Sequence, residues 1–157
     1  MRIAIYGYGN LGRAAELAVR ENSDMELFGI FTRRDPASVT SLGGRVYKAE
    51  DIVNYKNEID MVFIAGGSAT DLPEQTPRLA KDFNVIDSYD NHSRIPVHFA
   101  NVDEAAKASG HIAMISCGWD PGLFSVARIY ATAALPGAKN YTFWGRGVSQ
   151  GHSDAIR

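Results

Sequence analysis

The chain has 157 residues, 45% hydrophobic and 22% charged, with a formal net charge of −2, which suits one cored domain plus the start of another. That charge argues against the clustered basic surface a nucleic-acid partner requires. Cys117 is the single cysteine, which excludes an internal disulfide and a Cys-based metal cage, and no apolar run approaches the ~18 residues of a membrane span.

Met1-Arg2-Ile3 leads into a strand rather than a signal peptide, so a cytoplasmic enzyme or binding domain is expected. "RIAIY" (Arg2–Tyr6) reads as a short buried strand. Leu11, Ala14, Ala15, Ala18 and Val19 then recur at helical spacing. "MELFGIF" (Met25–Phe31) is a second strand, a short helix is expected around Asp51–Glu58, and "DMVFIAG" (Asp60–Gly66) is a further strand. The next helix begins at "TDLPEQ", with Asp71 at the cap and Glu74 three residues on, a capping-box spacing; Leu72, Thr76, Leu79 and Phe83 share its inner face. "NVIDSY" is a strand, Val97–Ser109 a helix and His111–Ser116 another strand. Asp120 and Pro121 are placed to cap and open a helix over "DPGLFSVARIYATAAL". "AKNYTFWG" then reads as a strand and "SQGHSDAIR" as a helix beginning. Strict alternation of strands and helices predicts a doubly wound, Rossmann-like parallel sheet, residues 1–120, with residues 121–157 opening a second, α+β domain.

Gly7, Gly9 and Gly12 spell G-x-G-x-x-G between a strand and a helix. In that setting Gly7 permits a tight turn, Gly9 lets backbone approach a pyrophosphate, and Gly12 lets helix and strand pack closely. The helix N-terminus supplies N–H groups and a positive dipole end to the anion. The competing reading is a glycine-rich turn with no nucleotide. An NAD site carries an acid at the end of the second strand, about 20 residues past the glycines, to bind the ribose hydroxyl. Here that place reads Thr32-Arg33-Arg34, a hydroxyl and two guanidiniums suited to a 2′-phosphate, so NADP is favoured over NAD. A solvated basic loop is the plainer alternative.

Ligands of open α/β sheets bind outside the carboxyl ends of the strands. Those ends are "AGGSATD", "SYDNH" and "SCGWDPG". Gly66 and Gly67 allow close backbone approach, Ser68 can donate a hydrogen bond, and Asp90 and Asp120 bring carboxylates from distant positions. Asp120 is equally an ordinary helix cap, Asp90 a turn residue and Trp144 a core residue. Cys117 has no activating partner in the sequence, and His92, His98, His111 and His152 lack metal-ligand spacing, so no metal site is expected.

"GYGNLGR", "FTRRDP", "GGSATDLPEQ", "DSYDNH", "ISCGWDPGLFS" and "TFWGRGVSQGHSDA" together resemble the meso-diaminopimelate D-dehydrogenases, in order along the whole chain. The resemblance implies NADP-dependent, reversible oxidative deamination of the D-centre of meso-2,6-diaminopimelate to L-2-amino-6-oxopimelate, ammonia and NADPH. It also implies a homodimer. It sets Tyr8, Asn10 and Leu11 along the pyrophosphate and nicotinamide, and Thr32, Arg33 and Arg34 on the 2′-phosphate. Ala65, Gly66, Gly67, Ser68, Ser88, Tyr89, Asp90, Cys117, Gly118, Trp119, Asp120 and Pro121 complete the cofactor cleft. Asp90, Asp120, Trp144, Gln150 and Gly151 match substrate-contacting positions. Further substrate ligands of the family fall beyond Arg157, so this polypeptide alone is expected to bind cofactor but turn over little, with an Asn140–Arg157 tail prone to disorder or self-association.

Hydride leaves the substrate α-carbon readily only when its nitrogen is a free amine, so a group must hold the ammonium and accept its proton. Asp90 and Asp120 are the candidates for that work. The alternatives are another amino-acid or imine reductase, related to dihydrodipicolinate reductase or homoserine dehydrogenase, and a nucleotide-binding module without turnover.

Overall fold

A computed structural model of the chain describes residues 1–139. Six strands form one parallel sheet: β1 (Arg2–Tyr6), β2 (Glu26–Thr32), β3 (Val46–Lys48), β4 (Met61–Ile64), β5 (Val85–Asp87) and β6 (Ala113–Met114). Their order across the sheet is β3-β2-β1-β4-β5-β6. The chain therefore reverses direction of growth beside β1, which leaves a crevice at the carboxyl ends of β1 and β4.

The apolar runs explain the layers. β1 is buried from Ile3 to Tyr6 and pairs in parallel with β2 and β4. Its alternation sends Ala4 and Tyr6 to one face and Ile5 to the other. On the first face, Ala4, Val62, Ile64 and Phe31 pack with Leu72 and Leu79 of α2 (Leu72–Leu79) and Val102 of α3 (Ile95–Ser109). On the second face, Ile5 and Ile30 meet Ala15 of α1 (Asn10–Glu21). The fold is α/β and doubly wound, as the alternation of elements predicts.

Several local expectations change. β3 is absent from the sequence pattern: three residues after Gly43-Gly44 carry no usable periodicity, and their place is set by pairing Ile30–Thr32 with Val46–Lys48. The segment around Asp51–Glu58 is a 3-10 run, Ala49–Tyr55. In α1 the buried residues are Gly12, Glu16 and Val19, while Leu11, Ala14 and Ala18 are exposed. Glu16 is inside because its carboxylate receives the Tyr8 hydroxyl and the backbone N–H groups of Leu42 (3.1 Å) and Gly44 (3.0 Å). The inner face of α2 is the expected one: Leu72, Thr76, Leu79 and the following Phe83 are buried. α3 closes on Gly110 at φ 74°, a left-handed position that suits glycine.

The helix after β6 is α4 (Leu123–Ala134), and none of its residues is buried. It opens at Gly122 rather than at Asp120, which corrects the expected cap. The expected strand over "AKNYTFWG" and the helix at "SQGHSDAIR" run into or lie wholly within residues outside those described, as do Trp144, Gln150, Gly151, His152 and the Asn140–Arg157 tail. No described helix is long and apolar enough to cross a membrane.

Candidate functional site

The glycine turn sits between β1 and α1, and each glycine has its own reason. Gly7 holds φ 98°, and a Cβ there would lie 3.0 Å from the Ala65 carbonyl oxygen. At Gly12 a Cβ would lie 2.3 Å from the Gly7 carbonyl oxygen, so the helix can approach the turn only without a side chain. A Cβ on Gly9 would meet nothing within 4 Å, and its φ of −93° demands no glycine. What Gly9 leaves is open space over the start of α1. That helix has no side-chain cap and no acidic residue in its first turn, so its N–H groups and dipole face outward to an anion.

The carboxyl ends of β2 and β4 wall the same space. A cavity of about 310 Å³ is bordered by Gly7, Gly9, Thr32, Arg33, Arg34 and Gly66. Arg34 donates to the Tyr8 carbonyl oxygen, and its backbone N–H donates to Thr32 Oγ1 at 3.2 Å. The Arg33 guanidinium forks onto the Asp71 carboxylate, Nη1 to Oδ1 at 2.9 Å and Nη2 to Oδ2 at 3.0 Å. Asp71 Oδ2 also accepts the Gly67 N–H at 3.1 Å. Asp71 does stand at the cap position of α2, but its side chain makes no capping bond, which corrects the capping-box expectation: the carboxylate is taken by Arg33 and Gly67. A Cβ on Gly66 would lie 2.6 Å from Gln75 Oε1, an acceptor buried at the cavity wall without a hydrogen bond.

Further along the sheet edge, the loops after β5 and β6 are built around one residue that the sequence pattern does not single out. Asp87, the last residue of β5, is fully buried. Its Oδ1 accepts the N–H groups of Tyr89 (3.1 Å) and Ser116 (2.9 Å); its Oδ2 accepts Thr76 Oγ1 and His98 Nε2, each at 2.7 Å. A carboxylate is acceptor-only, so His98 carries its proton on Nε2. The imidazole stacks on Tyr89, ring centroids 4.1 Å apart. Burial pushes the Asp87 carboxyl up, but the hydrogen bonds from His98, Ser116, Thr76 and Tyr89 outweigh it and hold the group below its ordinary range. The Asp87 carbonyl also receives the Cys117 N–H at 2.8 Å. One side chain thus ties both loops to α2 and α3. An acid ending an apolar strand was the only sequence signal for it.

The predicted site residues hang on this frame. Ser68 is buried, and its Oγ accepts the Asp90 N–H at 3.2 Å, joining the loop after β4 to the loop after β5. Asp90 keeps its Oδ1 buried with no hydrogen bond. Asp120, in the loop after β6, accepts Ser125 Oγ at 2.9 Å. The Asp120–Pro121 peptide is cis. Gly122 lies so close to Gly118 that a Cβ would fall 1.8 Å from the Gly118 carbonyl oxygen. Trp119 is exposed and stacks on Phe124 at 5.4 Å. Burial, and then the charge of Asp87, push the Cys117 thiol up, which makes it a poor nucleophile. Tyr8 is buried with its hydroxyl on Glu16, and Ser88 and Tyr89 lead out of β5. The described residues bring no group of three His, Cys, Asp or Glu side chains together for a metal ion.

The strand order, the glycine turn and the uncapped helix at the crevice define a Rossmann-type domain. Comparison with known proteins narrows this. The family described as "Diaminopimelic acid dehydrogenase C-terminal domain" matches residues 118–157. The meso-diaminopimelate D-dehydrogenase of Ureibacillus thermosphaericus is 56% identical over 158 residues, covering 100% of this chain and 48% of the relative. The solved structure of the C. glutamicum diaminopimelate dehydrogenase in complex with DAP superposes with a TM-score of 0.82 at 46% identity, covering 99% of this chain and 48% of that one. An engineered D-amino acid dehydrogenase bound to NADP+ gives a TM-score of 0.83 at 45% identity, with the same coverage of 99% and 48%. The chain is similar along its whole length to meso-diaminopimelate D-dehydrogenases, and it spans about half the length of the relatives it matches.

Proposed function

We propose that this chain is the NADP-binding part of a meso-diaminopimelate dehydrogenase. The observation that carries this is that Gly7 and Gly9, the latter the N-cap of α1, line one cavity together with Thr32, Arg33 and Arg34. Gly9 leaves room for a pyrophosphate, Gln75 offers an unpartnered acceptor, and no acid stands at the end of β2 to repel a 2′-phosphate. In this reading Gly7 to Gly12 hold the pyrophosphate, and Thr32, Arg33 and Arg34 the 2′-phosphate. Ala65 to Ser68, Ser88 to Asp90 and Cys117 to Pro121 border the nicotinamide half. Residues 1–120 form the cofactor domain and 121–157 begin the substrate and dimerisation domain; the family match from residue 118 and the exposed apolar side chains of α4 support that division. The protein works in the cytoplasm as a homodimer.

The reaction is meso-2,6-diaminopimelate, water and NADP+ to L-2-amino-6-oxopimelate, ammonium, NADPH and a proton. When bound, NADP supplies the hydride acceptor; the rest falls to the chain. Asp90 has a buried oxygen without a partner, suited to holding the substrate ammonium and taking its proton. Asp120 stands on the neighbouring loop with one oxygen engaged by Ser125. Trp144, Gln150 and Gly151 contribute to the substrate pocket. The test is NADPH and ammonia release from meso-diaminopimelate and NADP+, by the 157-residue chain and by a polypeptide of the relatives' full length. Turnover by the longer protein and little by the shorter is expected. Comparable rates would contradict the need for further substrate ligands, and no turnover by either would contradict the activity.

A further inference from the structure

We infer that Asp71 is a positioning residue for cofactor selection: its carboxylate holds the Arg33 guanidinium at the mouth of the cavity so that the unused N–H edge meets a 2′-phosphate. This rests on the NADP reading above and adds a residue to it. Asp71 lies 38 positions from Arg33, on the far side of the crevice, at the start of α2.

Three observations carry the inference. The pairing is a two-pronged fork at 2.9 and 3.0 Å, which fixes the plane of the guanidinium and not only its distance. It uses one N–H of each terminal nitrogen and leaves three of the five donors for another acceptor. The two partners are also unequally held: the Arg33 side chain is 69% exposed and that of Asp71 20%. The long side chain would sweep through solvent unless anchored, while the short one is fixed by the Gly67 N–H on its Oδ2. The anchor therefore belongs to the frame and the arginine to the ligand. Finally, Arg34 is held independently by the Tyr8 carbonyl, so the two arginines flank the cavity from separate supports.

The opposing expectation is charge. A carboxylate touching Arg33 reduces the positive field offered to a phosphate, and if field alone mattered, removing it would tighten binding. Preorganisation predicts the reverse, because an arginine already in place loses less freedom on binding.

The test compares 2′,5′-ADP with 5′-ADP as probes of the 157-residue chain by calorimetry. Asp71→Asn keeps an oxygen for the Gly67 N–H and removes the fork. The preference for 2′,5′-ADP is expected to fall about tenfold in Asp71→Asn. Arg33→Ala should lower the preference at least as far, leaving the part that Arg34 supplies, and adding Asp71→Asn to it should change the ratio by less than about twofold, since the two act as a unit. Arg33→Lys keeps the charge without the fork and should behave like Asp71→Asn. A merely structural role for Asp71 would weaken both probes alike and leave the ratio unmoved. A ratio that rises or holds in Asp71→Asn, or an Asp71 effect that persists without Arg33, overturns the inference while the cofactor reading stands. No 2′,5′-ADP preference in the unsubstituted chain removes that reading and this role with it.

Discussion

Replacing Asp87 by Asn tests whether the buried carboxylate is the tie between the two loops that carry Asp90 and Asp120. The amide oxygen must face the N–H groups of Tyr89 and Ser116, because neither can turn away. The amide nitrogen then faces Thr76 Oγ1 and His98 Nε2. The threonine hydroxyl can rotate and accept. The histidine can accept only by moving its proton to Nδ1, which is buried and makes no hydrogen bond. The substitution therefore loses charge-assisted hydrogen bonds, worth ~1.5–3 kcal/mol, and leaves one buried donor unsatisfied, so about 3 kcal/mol is expected in sum. Against a total stability of ~5–15 kcal/mol that is a large fraction. Urea denaturation should show a lower midpoint with an unchanged slope, and the melting temperature should fall by roughly 6–12 °C. Acid supplies a second arm. The carboxyl is held below its ordinary range in the folded chain, so its contribution is present above the unfolded value, about pH 4, and fades as pH falls through the folded value. The stability gap between the unsubstituted chain and the Asp87→Asn variant should narrow accordingly below about pH 4. A loss under ~1 kcal/mol at neutral pH, or a gap indifferent to acid, would refute the assignment.

The glycines separate binding from folding. Gly9→Ala adds a methyl group that meets no protein atom within 4 Å, so stability should hold while NADPH affinity falls about tenfold or more. Gly12→Ala drives a methyl group onto the Gly7 carbonyl and should cost ~1–3 kcal/mol in thermal unfolding. Glu16→Ala strips the buried acceptor from Tyr8, Leu42 and Gly44 and should cost about 2–4 kcal/mol in urea denaturation, a near-neutral outcome contradicting its structural role. In protein of the relatives' full length, Asp90→Asn should lower the rate of diaminopimelate oxidation at least about 100-fold while NADPH affinity changes little.

What the sequence discloses and what it hides divide by range. β1, the glycine turn and the arginines after β2 are local patterns, and the sheet places them where the pattern implies. The inner face of α2 is legible because Leu72, Thr76 and Leu79 keep helical period. The face of α1 is not, because its central buried residue, Glu16, is polar, and it is stable inside through the Tyr8 hydroxyl and a loop 26 to 28 positions away. Asp71 stands at a cap position yet is claimed by Arg33, and Asp120, read as a cap, lies two residues ahead of one and is claimed by Ser125; a partner 38 residues off leaves no trace in spacing. The Asp87 network joins four segments through one strand-ending acid, so its meaning exists only once the sheet is folded.

Cofactor choice is tested most directly by a fluorescence titration of the 157-residue chain with NADPH and, in parallel, NADH. Tight NADPH binding with at least about tenfold weaker NADH binding is the predicted result, the difference falling on Arg33 and Arg34. Equal affinities, or no binding to either, would contradict it.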